Sequence, residues 1–188
     1  MSTLRRRTGS IWTRSFKRNL SRIQLVAFVI EFILAIAAVI IHSIAYPESF
    51  RKTLWEIGGE AGWNSNPKLR IYFYANYRQP PEIPLLWTQR LSETNLSVAL
   101  IATSVFFARL VLVFFDYAGS LCSILYDILL SALWLYSILA QSSGDLSDTE
   151  HLSLRPWYLE KGCYRVAPPY IHVCYIARSA FGISIVSL

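Results

Sequence analysis

Long apolar runs dominate the chain, and none of them alternates apolar with polar residues. Three runs of about twenty residues cover 23–45, 96–115 and 121–140, and a fourth occupies 171–188. A helix needs about 20 residues to cross a hydrocarbon core of about 30 Å, whereas barrel strands alternate over about 10 positions. The pattern therefore predicts an all-α membrane protein built as a four-helix transmembrane bundle.

The polar segments divide the rest of the chain. Residues 1–22 form a tail ahead of the transmembrane domain 23–188, and a long aromatic-rich loop follows the first predicted span. Aromatic residues at a membrane interface anchor a protein against the headgroups, so this loop serves either as an anchor or as a recognition surface. Within it, residues 68–77 could form one short strand. The fourth run ends with the given sequence, which leaves open whether its helix is complete.

Composition agrees with a lipid-facing surface, because only 16% of the residues are charged, against about 25% in soluble domains. The net charge of +6 is concentrated in the tail. By the positive-inside rule the tail is cytosolic, and four spans return the C-terminus to the same side. We expect the basic residues to bind anionic lipid rather than nucleic acid, because strongly apolar residues follow directly. They are Arg5, Arg6, Arg7, Arg14, Lys17, Arg18 and Arg22.

The tail also has apolar residues at helical spacing, namely Trp12, Phe16, Leu20 and Ile23. This spacing is typical of an amphipathic helix that lies in the headgroup region. A disordered basic tail is the alternative.

Each predicted span contains one charged residue: Glu31, Arg109, Asp127 and Arg178. A charge in the bilayer interior costs several kcal/mol, so it normally faces other helices and pairs. Arg109 and Asp127 are each nine residues from Ala118 in the short turn, which puts them at the same depth on neighbouring helices. Glu31 and Arg178 could meet if the first and last helices adjoin. Such pairs either fix the helix register or serve a proton or ion pathway.

Residues suited to catalysis or metal binding are few, and the three histidines match no motif: His42, His151 and His172. We therefore expect no catalytic residues, no cofactor and no metal site, and we predict that the protein is not an enzyme. The acidic stretch 144–151 resembles a calcium loop only loosely. A helix start with Ser147 and Glu150 as a capping box suits it better.

Three cysteines are too few for a disulfide scaffold. Cys163 and Cys174 are both expected on the outer side, where they are either bonded or two small buried residues. Cys122 lies at the cytosolic end of a span, where reversible palmitoylation occurs. The sequence Asn95-Leu96-Ser97 is a glycosylation sequon, but it abuts the membrane and should be poorly occupied.

The order of these segments resembles the MARVEL-type four-helix membrane proteins, especially the fungal branch. The local similarity lies in YDILLSALWLYSILA around Asp127, in C-x-x-x-R-S-A-F-G from Cys174 to Gly182, and in the polar linker 143–163. The related Casparian-strip-like proteins pair the Asp of span three with an Arg on span one. Glu31 occupies span one here, and Arg109 is the candidate substitute.

This resemblance implies a non-enzymatic integral membrane scaffold or organiser of membrane domains, in the plasma membrane or an endomembrane. It would act by helix and loop association with itself or with other membrane proteins. An accessory subunit or small transporter that uses the intramembrane charged residues is the alternative.

The basic tail yields a first prediction. A peptide of residues 1–22 should bind liposomes that contain anionic lipid and be released by high salt, because each basic residue contributes about 1 kcal/mol at such a surface. Liposome co-sedimentation checks this. Equal binding to neutral liposomes would contradict the electrostatic contribution.

Overall fold

The protein is described by a computed structural model that covers the backbone of residues 4–115 and 120–188 and the side chains of 22, 23, 25–115, 121 and 123–188. The predicted all-helical class is confirmed, since these residues contain no strand beyond one antiparallel bridge between Asp145 and Ser153. The helices are α1 (Leu4–Ile44), α2 (Glu48–Glu60), α3 (Arg70–Ala75), α4 (Gln89–Phe114), α5 (Ser120–Gln141), α6 (Trp157–Glu160) and α7 (Ile171–Val186). Single 3-10 turns occupy Pro67–Leu69, Leu85–Trp87, Cys163–Arg165 and Pro168–Tyr170.

Three helices in the described part of the chain are long and apolar enough to cross a membrane. The segments that meet these criteria are Leu25–Ile44 of α1, Gln89–Phe114 of α4 and Ser123–Gln141 of α5, and they coincide with the first three predicted runs. Most of their large apolar side chains are exposed, as lipid-facing side chains must be. α1 ends at Ile44 because Pro47 follows, and proline restricts the residue before it and lacks an N–H for the helix.

The four longest helices contact one another in a ring. α1 lies against α4 and α7, and α5 lies against the same two helices. Small residues line the contacts, with Ala38, Ala99 and Ala102 buried around Trp134. Small side chains allow helix backbones to approach closely in a membrane, where packing rather than the hydrophobic effect drives association.

The height of α7 differs from the sequence prediction of a fourth span over 171–188. Ser184 is the fourteenth of sixteen residues in α7, yet its Oγ accepts a hydrogen bond from Nε2 of Gln141, the last residue of α5. The same Oγ lies 3.5 Å from Nε2 of His42, near the outer end of α1. Most of α7 therefore rises above the outer ends of α1 and α5, and only its last residues reach the level of Gln141.

The segments long and apolar enough to cross a membrane do not include α7, so a fourth span over residues 171–188 stays a prediction. The first half of α7 packs outside the ring, where Val173, Cys174 and Ala177 are buried against α2 and α6.

The segments outside the ring fold into one aromatic-rich unit, here called the outer subdomain (residues 46–88 and 142–174). Trp55 and Trp87 stack with ring planes 3° apart, and Trp157 is almost fully buried beside them. Gly58 is required at the centre, because a Cβ there would lie 1.7 Å from Asn64 Oδ1 and 2.5 Å from Trp157 Cδ1. The outer subdomain is thus a packed core rather than a pair of independent loops.

Two local predictions in the outer subdomain are wrong. Residues 68–77 do not form a strand, because Pro67 opens a 3-10 turn that continues directly into α3. Ser147 and Glu150 do not form a helix cap, because no helix follows them. Instead, the Ser147 hydroxyl donates to Asp145 at 2.7 Å and stabilises a turn.

Asp145 is the carboxylate that joins the two outer segments. One oxygen accepts from Ser65 Oγ at 2.6 Å, Ser65 N at 3.3 Å and Trp87 Nε1 at 2.9 Å, and the other accepts from Ser147 N at 3.1 Å. Burial by itself raises the pKa of Asp145, but the hydrogen bonds from Ser65, Ser147 and Trp87 outweigh burial and hold that pKa below its ordinary value of 3.8. The ionised form therefore stabilises the fold.

We expect Asp145→Asn to lower the thermal unfolding midpoint in detergent by roughly 5–10 °C, because an amide cannot accept all these hydrogen bonds. Since the folded-state pKa is lowered, the stabilisation is present above about pH 4 and is lost as the pH falls through the folded-state pKa. The difference in unfolding midpoint between the variant and the wild type should therefore shrink as the pH is lowered. Asp148→Asn is the matched control, since Asp148 pairs only with its neighbours Glu150 and His151. Equal losses of thermal stability in the two variants would contradict the structural role assigned to Asp145.

Candidate functional site

Three of the four charged residues that the sequence predicts within the membrane come together near the inner ends of α4 and α5. Arg109 Nη1 lies 3.2 Å from Asp127 Oδ1 and 3.7 Å from Glu31 Oε2. The guanidinium also sits over the Phe28 ring, 5.6 Å from its centroid. Neighbouring antiparallel helices bring Arg109 and Asp127 to one depth, and α1 adds Glu31 because it lies against α4.

The three residues form what we call the inner charge cluster: Glu31, Arg109 and Asp127. Their side chains are 34%, 27% and 57% exposed. Arg109 is five residues from the end of α4, about 8 Å along the helix axis. At that depth a long arginine side chain reaches toward the headgroups, which lowers the cost of its charge. The cluster is therefore a partly exposed ionic contact between three helices, not a sealed ion pair.

The sequence suggested that Arg178 could meet Glu31. In the structure the two side chains do not come together. It is six residues before Ser184, which places it about 9 Å farther out than the ends of α1 and α5. Its side chain is exposed and lines a cleft with Ser142 and Glu160. The offset of α7 is the physical reason for the error, because residue counting assumed that α7 begins at the membrane surface.

A second polar arrangement, here called the outer polar layer, lies across the outer ends of α1 and α5, the outer part of α4 and the last turn of α7. Each helix contributes to it through His42, Asn95, Ser137, Gln141 and Ser184, and all five side chains are buried. Ser137 Oγ donates to Asn95 Oδ1 at 2.8 Å, and Gln141 Nε2 donates to Ser137 Oγ at 3.0 Å and to Ser184 Oγ at 2.9 Å. The layer therefore links all four helices at one height.

Sequence reasoning did not predict this layer. One signal was available: Ser137 and Gln141 are four residues apart and so lie on the same face of α5. The positions of Asn95 and Ser184 depend on how α4 and α7 are set against α5, which spacing within one helix cannot reveal.

Arg51 lies buried immediately above this layer. Its Nε donates to Ser92 Oγ at 3.1 Å, and that hydroxyl donates to the carbonyl of Ala45 at 3.1 Å. No carboxylate among the described residues forms an ion pair with it. Burial raises the pKa of the nearby Tyr158 hydroxyl. This phenol therefore stays neutral and supplies no negative charge to compensate Arg51.

Neither arrangement assembles the groups of a familiar catalytic site. Ser184 Oγ lies near His42 but donates to the carbonyl of Ala180 at 2.9 Å, and no described carboxylate is hydrogen-bonded to His42. His172 is the second residue of α7, far above His42, so the two histidines cannot share a metal ion. Among the described residues, no group of three or more His, Cys, Asp or Glu side chains could hold one.

The remaining candidate positions are placed as follows. Cys163 and Cys174 form a disulfide with Cα atoms 5.7 Å apart, which decides between the two alternatives that the sequence left open. Asn95 is only 1% exposed and faces Ser137, so the folded protein offers no accessible sequon. Arg22 is exposed. The side chains of the other six basic tail residues and of Cys122 lie outside the described part.

Comparison of the chain with protein-family models, with curated proteins and with solved structures found no match in any of the three.

The inner charge cluster yields a prediction about which of two substitutions costs more stability. Arg109→Gln leaves two carboxylates facing each other, whereas Asp127→Asn leaves Arg109 with Glu31. We expect Arg109→Gln to cost about 1–3 kcal/mol, less than the roughly 3–5 kcal/mol of a sealed pair, and Asp127→Asn to cost less still. The thermal unfolding midpoint and folded yield in detergent measure this.

The double variant should lose less than the sum of the single losses, because the two side chains are coupled. Exchanging the charges, with Arg109→Asp and Asp127→Arg together, should recover only part of the loss, since the new carboxylate faces Glu31. Arg90→Gln, on the exposed outer turn of α4, is the control. Strictly additive losses would show that the two charges do not interact in the folded protein.

Proposed function

We propose that this protein is a non-enzymatic, multi-pass membrane scaffold that organises other membrane proteins by lateral association of its helices and outer surface. A role in membrane-domain organisation is also what the resemblance to MARVEL-type proteins implies. The proposed topology has a cytosolic N-terminus, α1, α4 and α5 crossing the membrane, and α7 entering the ring from the outer side. The membrane is the plasma membrane or an endomembrane.

The observation that carries the proposal is an open groove among α1, α4 and α5. It has a volume of about 330 Å³ and lies directly below the end of α7, where Val186 and Ser187 form its upper wall. Its lining includes Ala27, Ala35 and Ala102. Small residues on a lipid-facing groove allow another helix to approach closely, which favours lateral association.

A second feature that supports association is the exposed face of α3. Ile71, Tyr72 and Tyr74 are each at least 65% exposed, and Tyr77 just beyond the helix is fully exposed. A contiguous exposed apolar patch on a folded unit marks a protein or membrane contact. This face would serve partners that approach from the outer side.

The disulfide supports the orientation. Disulfides persist in oxidising compartments and are rare in the cytosol. The Cys163–Cys174 bond belongs to the outer subdomain, on the side opposite to the basic tail. The positive-inside rule gives the same orientation independently, since it assigns the tail to the cytosol.

The alternative function is an accessory subunit or small transporter that uses the inner charge cluster. Glu31 lines the groove and could exchange a proton there. A transport pathway needs a more continuous polar lining, whereas most of the groove is lined by Ala, Leu, Ile, Phe and Trp side chains. The scaffold is therefore the better supported of the two.

The groove can be filled to test the proposal. Ala27→Phe projects a ring into it from an exposed position on α1, so the core should remain intact. Ala132→Phe places the same ring on an exposed face of α5 that does not line the groove. Wild type purified from native membranes in mild detergent should retain membrane-protein partners at constant ratio.

Ala27→Phe should reduce the amount of these partners by about tenfold, equivalent to about 1.4 kcal/mol, while Ala132→Phe leaves it unchanged. Quantitative mass spectrometry of the purified complexes measures the ratio, and equal unfolding midpoints confirm that both variants fold. Wild type that purifies without partners, or purified protein that turns over a substrate, would overturn the proposal.

A further inference from the structure

A second cleft opens on the outer side, between the outer end of α5, the middle of α7 and the polar linker. Its volume is about 570 Å³, within the range of about 300–1,000 Å³ that is common for small-molecule sites. Arg155, Glu160 and Arg178 line it together with Ser142, and Leu159 and Phe181 supply an apolar wall.

The position of this cleft matches the level of lipid headgroups under the proposed topology. Ser142 directly follows the last residue of α5, and Arg178 lies about 9 Å beyond Ser184. The polar side of the cleft is therefore at the outer membrane surface. Phe181, three residues nearer to Ser184 than Arg178 is, marks the side toward the hydrocarbon.

The charges around the cleft are separated rather than paired. Neither Arg155 nor Arg178 has a carboxylate oxygen within 4 Å among the described residues, although Glu160 lines the same space. Arginines that are free of carboxylates are well suited to phosphate, because the planar guanidinium donates two parallel hydrogen bonds to its oxygens. The carboxylate of Glu160, which lines the same space, suits a cation on the same ligand.

We propose that this cleft binds a phospholipid whose headgroup carries a primary ammonium, with the phosphoethanolamine group as the recognised chemistry. The phosphodiester lies between Arg155 and Arg178, the ammonium contacts Glu160, and the acyl chains follow Phe181 toward the hydrocarbon. The position in the outer leaflet rests on the proposed topology, whereas the headgroup chemistry rests on the cleft alone.

The three charged residues also predict selectivity among headgroups. A phosphocholine has no N–H to donate to Glu160, so it loses the second contact. A phosphoglycerol has no cation at all, and a phosphoserine brings a second carboxylate close to Glu160, which like-charge repulsion disfavours. Phosphoethanolamine is the headgroup that satisfies all three side chains.

The test uses the full chain purified in detergent micelles and lipids with identical acyl chains, counted by native mass spectrometry. Wild type should retain the phosphoethanolamine lipid in preference to the phosphocholine and phosphoglycerol lipids. Arg155→Gln and Arg178→Gln should each weaken its retention roughly tenfold, the effect of losing one hydrogen bond to a charged group. Glu160→Ala, which removes the acceptor as well as the charge, should abolish the preference over phosphocholine while the phosphate is still bound.

Arg165→Gln is the control, because Arg165 is an exposed arginine just beyond the polar linker that lies on the Tyr164 ring instead of in the cleft. Equal retention of all lipids by wild type, or unchanged retention in both arginine variants with normal unfolding midpoints, would overturn the proposal. Soluble glycerophosphoethanolamine that competes as strongly as the lipid would identify a site for free phosphoesters and reject the lipid.

These outcomes are independent of the scaffold proposal, since the experiment uses the isolated chain without partners. A reporter fused to the N-terminus tests the topology separately. An inverted orientation would move the cleft to the other leaflet without changing the selectivity measured in micelles.

Discussion

The hydrogen bond from Gln141 to Ser184 sets the height of α7, and most of the molecule's organisation depends on that height. Buried amides and hydroxyls are costly unless they are paired, and lipid offers no replacement partners. Sliding α7 by one turn, about 5.4 Å, would leave Gln141, Ser184 and His42 without their partners in the outer polar layer. The layer therefore fixes the register between helices whose other contacts are largely apolar.

The outer subdomain completes this arrangement from above. Asp145 joins the first outer segment to the second through Ser65 and Trp87, and the disulfide ties the polar linker to α7. Arg51 and Tyr158 close the space over the layer. The large buried aromatic residues lie mainly on this side of the molecule, so the packed core belongs to the outer half.

The inner half is built on a different principle. Below the outer polar layer, α1, α4 and α5 leave a groove that no described segment fills. Arg109 draws Glu31 and Asp127 together in this half, which holds the three helices with ionic contacts. The offset of α7 moves Arg178 away from Glu31 and places it in the outer cleft.

The sequence by itself determined the features that depend on distance along the chain. Twenty-residue apolar runs predicted the three spanning helices, and equal spacing from Ala118 predicted that Arg109 and Asp127 share a depth, because rise per residue is constant in a helix. The tertiary structure alone decided how far α7 stands above its neighbours, which moved Arg178 away from Glu31 and gave Glu31 to Arg109. It also decided that Asn95, Gln141 and Ser184 meet, and that Asp145 is a buried acceptor rather than part of a helix start. These features depend on how far one helix is shifted along its neighbour when long loops join the two. Side-chain pairing across the fold fixes that shift, and the spacing of residues within one segment does not encode it.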